Sequence, residues 1–79
     1  MKKNIKIFVD TNFWLIFYLH KIDLLSELER ILPGKFEIAT SEGVIKELKR
    51  IKETSRGKVG IAAKIALELI KKKGIEILP

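Results

Sequence analysis

The sequence contains no cysteine and no glutamine, and asparagine stands only at positions 4 and 12. Without cysteine there is no disulfide, no thiolate nucleophile and no cysteine-ligated metal, a pattern that suits a reducing cytoplasm. Proline occurs twice and glycine five times, too few for a low-complexity linker. The lone histidine, His20, follows an apolar run beside Lys21 and suits a surface or helix-end position better than a metal site. No apolar stretch approaches the ~20 residues that a membrane span requires. Lys2-Lys3 ahead of the first apolar run imitates a leader peptide, but Asp10 and Asn12 interrupt that run and no small-residue cleavage site follows Leu19. The expectation is a soluble, cytoplasmic chain with no membrane partner.

What remains is apolar and charged. A chain of 79 residues makes one small domain that buries only ~60% of its unfolded surface. Even so, 47% of the residues are hydrophobic, 13 of them isoleucine, which argues for a packed fold over disorder. Charged residues make up 33%, and the Lys/Glu/Ile-rich usage resembles that of hyperthermophiles. The 16 lysines and arginines against 10 acids give a net charge of +6. That excess favours a polyanionic partner, nucleic acid first, although a thermophile's lysine-rich surface can be basic for no functional reason.

Hydrophobic spacing orders the chain as β-α-α-β-α-α-β. Ile5 to Val9 is a β-branched apolar run, and Thr11 to about Leu19 reads as a short helix. Asp23 opens a second helix with Leu24, Leu25, Leu28, Ile31 and Leu32 at helical spacing, and Pro33-Gly34 stops it. Phe36 to Ala39 is a second strand. Ser41 caps a third helix whose apolar stripe is Val44, Ile45, Leu48 and Ile51. Thr54 to Gly60 is the only candidate loop of any length. Ile61 to Lys73 is the fourth helix, with Ile61, Ile65, Leu69 and Ala62, Ala66, Ile70 expected inside, Lys71 to Lys73 in its last turn and Gly74 as its C-cap. Ile75 to Leu78 is the third strand. Crossovers of this length imply an α/β fold with a parallel three-stranded sheet in the order 3-2-1 and the first strand on an edge, and the run Ile5 to Val9, apolar on both faces, implies helices on both faces. An apolar edge left bare is a pairing hazard, so either the chain belongs to a longer protein or its first strand pairs with another chain.

The chemistry concentrates at Asp10-Thr11-Asn12, where the first strand ends. Ligands of parallel α/β sheets bind beyond the carboxyl ends of the strands, so a carboxylate there can meet a metal or a phosphate. Asp10 or Asn12 can equally be a helix cap. Glu47 lies beside the Val44, Leu48 and Ile51 stripe, which turns it toward the sheet's edge and away from open solvent. It is also placed to pair with Arg50 at i,i+3.

The apolar strand ending in Asp-Thr-Asn and followed by the run Phe13 to Leu19 resembles the opening of a PIN domain, a family of metal-dependent ribonucleases. Ser41-Glu42-Gly43-Val44-Ile45-Lys46-Glu47-Leu48 is similar to that family's second signature, a helix carrying an inward acid. The likeness extends through the basic stretch before Ile61-Ala62-Ala63-Lys64 to the strand at Ile75-Glu76-Ile77, and is greatest to the archaeal, ribosome-processing-like branch. It takes in residues 1–79 and corresponds to the N-terminal half of the family's domain, stopping before the remaining strands.

The resemblance implies that Asp10 and Glu47 are catalytic acids and ligands of Mg²⁺ or Mn²⁺, with Asn12, Thr11 and Ser41 around them. Asn12 would orient Asp10, Thr11 would cap the helix or lie near a phosphate, and Ser41 would cap its helix or approach the metal. It also implies an RNA substrate, for which Lys46, Lys49, Arg50, Arg56 and Lys58 could track phosphates, unless they form an ordinary solvated face. Further acids come from the family's second half and have no counterpart here. The chain alone is therefore expected to hold the cation weakly and to be a poor nuclease or none. The alternative is a non-catalytic unit that binds RNA or protein. Phe13, Trp14, Phe17 and Tyr18 cannot all face inward on one helix; most belong to the core or to an interface, and burial at a contact explains them better than base stacking. The partner would be a second copy, forming a dimer, or the missing C-terminal half.

Overall fold

Alternation decides how the sheet is covered. The computed structural model describes residues 5–79, so the Lys2-Lys3 segment lies outside the described residues. The elements are β1 (Ile5–Phe8), α1 (Thr11–Leu19), α2 (Leu24–Ile31), β2 (Phe36–Ser41), α3 (Glu42–Thr54), α4 (Lys58–Lys72) and β3 (Glu76–Leu78). All strands are parallel and β2 is central, with Ile7 opposite Ile38 and Thr40 opposite Ile77. The expected α/β class, parallel pairing and 3-2-1 order all hold. No helix of the described residues is long and apolar enough to cross a membrane.

Helices on both faces are found on one face only. Val9 and Ile38 join Trp14, Leu24, Val44, Leu48, Ala63, Ala66 and Ile70 in a single core, so α1 to α4 share one side of the sheet. Lys6, Phe8, Glu37 and Glu76 stand exposed on the other. The reason is topological: right-handed crossovers that always step the same way across a sheet deposit every helix on the same side. On the bare side the Lys6 ammonium meets the Glu76 carboxylate at 3.0 Å, reaching across β2 from one outer strand to the other.

Two segments differ from the sequence pattern. The expected loop from Thr54 to Gly60 shrinks to Ser55–Gly57, and α4 begins at Lys58. Gly57 takes φ 75° and ψ −147° at the helix start, a conformation nearly restricted to glycine. The inner stripe of α4 is Ala62, Ala63, Ala66 and Ile70, while Ile61 and Ile65 are 48% and 41% exposed. Small alanines let α4 approach α3 closely, and the large isoleucines are turned outward.

Candidate active site

The strand-end acid is fixed by its own helix. Asp10 caps α1, its Oδ1 accepting from Phe13 N at 3.1 Å, and its carbonyl accepts from Trp14 N at 3.2 Å. The cap leaves one oxygen open, because the side chain is exposed and Oδ2 has no protein partner among the described residues. Thr11 is 8% exposed and turned into the interior, so the cap is Asp10 and not Thr11. Asn12 is exposed in the first turn of α1, and among the described residues no hydrogen bond links it to Asp10.

Ser41 repeats the arrangement one strand over. Its Oγ accepts from Val44 N at 3.1 Å and starts α3, with Glu42 as the first helical residue. Two capping side chains thus sit side by side at the carboxyl ends of β1 and β2. Glu47 lies farther along α3 and, against the expectation that it turns away from solvent, is exposed, because it flanks the apolar stripe of α3 and does not belong to it; one carboxylate oxygen is 3.8 Å from Arg50 Nη2. A pair that long and that exposed contributes little, and it leaves the carboxylate available.

Between the caps runs a buried polar chain that sequence reading missed. Trp14 Nε1 donates to Thr40 Oγ1 at 3.4 Å, and Thr40 Oγ1 donates to the Val9 carbonyl at 3.0 Å. Both side chains are almost wholly enclosed, Trp14 at 2% and Thr40 at 0% exposure. Trp14 is therefore a core residue and not a surface aromatic. The only sequence signal was a threonine directly after the expected strand Phe36 to Ala39, which in the structure runs on to Ser41.

The basic residues are spread over α3, the turn that follows it and α4. Lys46, Lys49 and Arg50 are exposed on α3, Arg56 is in the turn, and Lys58 opens α4. Lys49 faces a groove between α3 and α4 together with Lys52, Lys64 and Lys71. Lys58 instead borders an apolar cavity of about 480 Å³ between α1 and α4, lined by Trp14, Phe17, Ala66 and Leu69. Neither concavity is lined by Asp10 or Glu47.

Each of the two acids, taken singly, offers oxygen donors of the kind a hard divalent cation takes. Mg²⁺ takes oxygen ligands, keeps several waters and commonly binds through one or two carboxylates plus substrate phosphate. The uncommitted oxygen of Asp10 and the exposed carboxylate of Glu47 are donors of that kind. Among the described residues no group of three or more histidine, cysteine, aspartate or glutamate side chains is suited to hold a metal, so any cation here would remain largely hydrated.

Residues 7–78 match the family of PIN-like domains. Ribonuclease VapC4 of Methanocaldococcus jannaschii is 40% identical over 68 residues, which cover 84% of this chain and 52% of that protein. Ribonuclease VapC9 of Archaeoglobus fulgidus is 37% identical over 62 residues, covering 78% of this chain and 44% of that protein. The chain spans about half the length of these two archaeal relatives.

Proposed function

Because the chain belongs to the PIN-like domain family, we propose that it is the N-terminal half of a divalent-metal-dependent endoribonuclease, inactive as 79 residues alone. The observation that carries this reading is Asp10, an exposed strand-end carboxylate with one oxygen uncommitted among the described residues, in a chain similar to two proteins named as ribonucleases. Asp10 and Glu47 would hold Mg²⁺ or Mn²⁺, which when bound supplies an activated water and neutralises charge on the phosphodiester. Asp10 is oriented by its own capping bond, and Ser41 fixes the start of the helix that carries Glu47. Lysines and arginines on α3 would attract the RNA backbone through phosphate charge alone. Such a chain, free of cysteine, would work in the reducing cytoplasm.

Cleavage of single-stranded RNA is the test. A protein extended to the relatives' length is expected to cleave with Mg²⁺ or Mn²⁺ and to lose activity on Asp10→Asn or Glu47→Gln. The 79-residue chain is expected to show none. Failure of the long form to cleave, or cleavage that survives a chelator, would overturn the proposal.

A second reading, a non-catalytic unit that binds RNA or protein and oligomerises through its sheet edge, is favoured by Phe8, which is 50% exposed on edge strand β1. RNA binding by the long form without cleavage would select it.

A further inference from the structure

We infer that Thr40 is a positioning residue for Asp10, acting through the backbone of β1. Its hydroxyl donates to the carbonyl of Val9, the residue immediately before Asp10, and accepts from the Trp14 indole one turn into α1. Val9 N is bonded in turn to Ala39 O at 2.9 Å, and Trp14 N to the Asp10 carbonyl at 3.2 Å. The peptide that delivers Asp10 is thereby held by β2 on one side and by α1 on the other. Thr40 also directly precedes Ser41, the cap of the helix that bears Glu47. One side chain therefore ties the strand end of the first acid to the strand end that launches the second.

Packing alone does not ask for this residue. Valine has nearly the same shape and suits a strand at least as well, and a fully enclosed hydroxyl is unfavourable unless bonded. Here the hydroxyl is bonded twice, and among the described residues no buried side-chain polar atom lacks a partner. Its bonds set direction at the strand end, the task of outer residues that orient metal ligands.

The inference rests on Asp10 as a cation ligand, and the experiment separates the two claims. Mn²⁺ is titrated into the ¹⁵N-labelled 79-residue chain, and paramagnetic broadening of the amide signals around Asp10 is followed. Thr40→Val is expected to raise the Mn²⁺ concentration for half-broadening about tenfold, the low end for loss of such a partner. Thr40→Ser, which restores the hydroxyl, should return it to near the wild-type value. A merely structural role would lower the melting temperature and leave the Mn²⁺ response of the folded protein unchanged, and that result would overturn the inference. Should Thr40→Val not fold, Trp14→Phe removes the donor to Thr40 and is expected to weaken Mn²⁺ binding several-fold, and an unchanged response again overturns it. Asp10→Asn with undiminished broadening would instead remove the cation role of Asp10, and the inference with it.

Discussion

Gly60 lies against the carbonyl oxygen of Ser55, so close that a Cβ at position 60 has no room. The demand is steric, because Gly60 is not among the residues with positive φ. Alanine normally stabilises a helix interior by about 1 kcal/mol over glycine. At this position the added methyl meets backbone, which cannot rotate aside. Gly60→Ala is expected to destabilise by about 1–3 kcal/mol, the range for overpacking, and to lower the urea midpoint. A midpoint at or above that of the wild type would mean that the two helices can spread freely.

Asp23 gives the fold an acid-sensitive joint. The Ser26 hydroxyl, followed by the Ser26 backbone N–H, hydrogen-bonds the Asp23 carboxylate and holds it below its ordinary value of 3.8. A group whose folded value is depressed stabilises the fold fully above its unfolded value and ceases to do so as pH falls through the folded one. The loss of melting temperature between pH 5 and pH 2 should therefore be smaller in Asp23→Asn than in the wild type. Identical acid limbs would show that the cap is not formed in solution.

Exposed aromatics predict self-association. Phe13 is 54% exposed and stacks on Phe17 with ring centroids 6.3 Å apart, and Phe8 is exposed on the uncovered side of the sheet. Trp14 is enclosed and cannot contribute. Sedimentation at tens of micromolar is expected to show a dimer, the commonest closed assembly, and Phe13→Lys should shift it toward monomer. A stable wild-type monomer would refute the expectation.

Local signals carried much of this structure. The bounds Thr11–Leu19, the Ser41 cap and the strand-end place of Asp10 each follow from a few adjacent residues and hold as expected. The Trp14–Thr40 bond joins residues far apart in sequence, and no periodicity marks it. The glycines at 57 and 60 look like a loop, whereas one supplies a backbone conformation and the other supplies space. Ile61 and Ile65 read as core because isoleucine usually is. The close approach of α3 and α4, which selects alanine instead, is a tertiary fact.

The short turn Ser55–Gly57 also has a meaning in time. Helices joined so closely find one another by local search, whereas parallel strands must wait for distant segments to meet, and such pairings form slowly. The α3–α4 hairpin, which lies in the chain between β2 and β3, is expected to assemble first and bring those two strands together, so that β1 joins β2 last and the aromatic helix after β1 is the final apolar surface to be covered. Pulse-labelled hydrogen exchange during refolding should protect α3 and α4 amides before those of Ile7 and Val9, and the reverse order would contradict it. The interval before β1 docks, more than the finished fold, would then be when this chain is open to proteases and to its own copies.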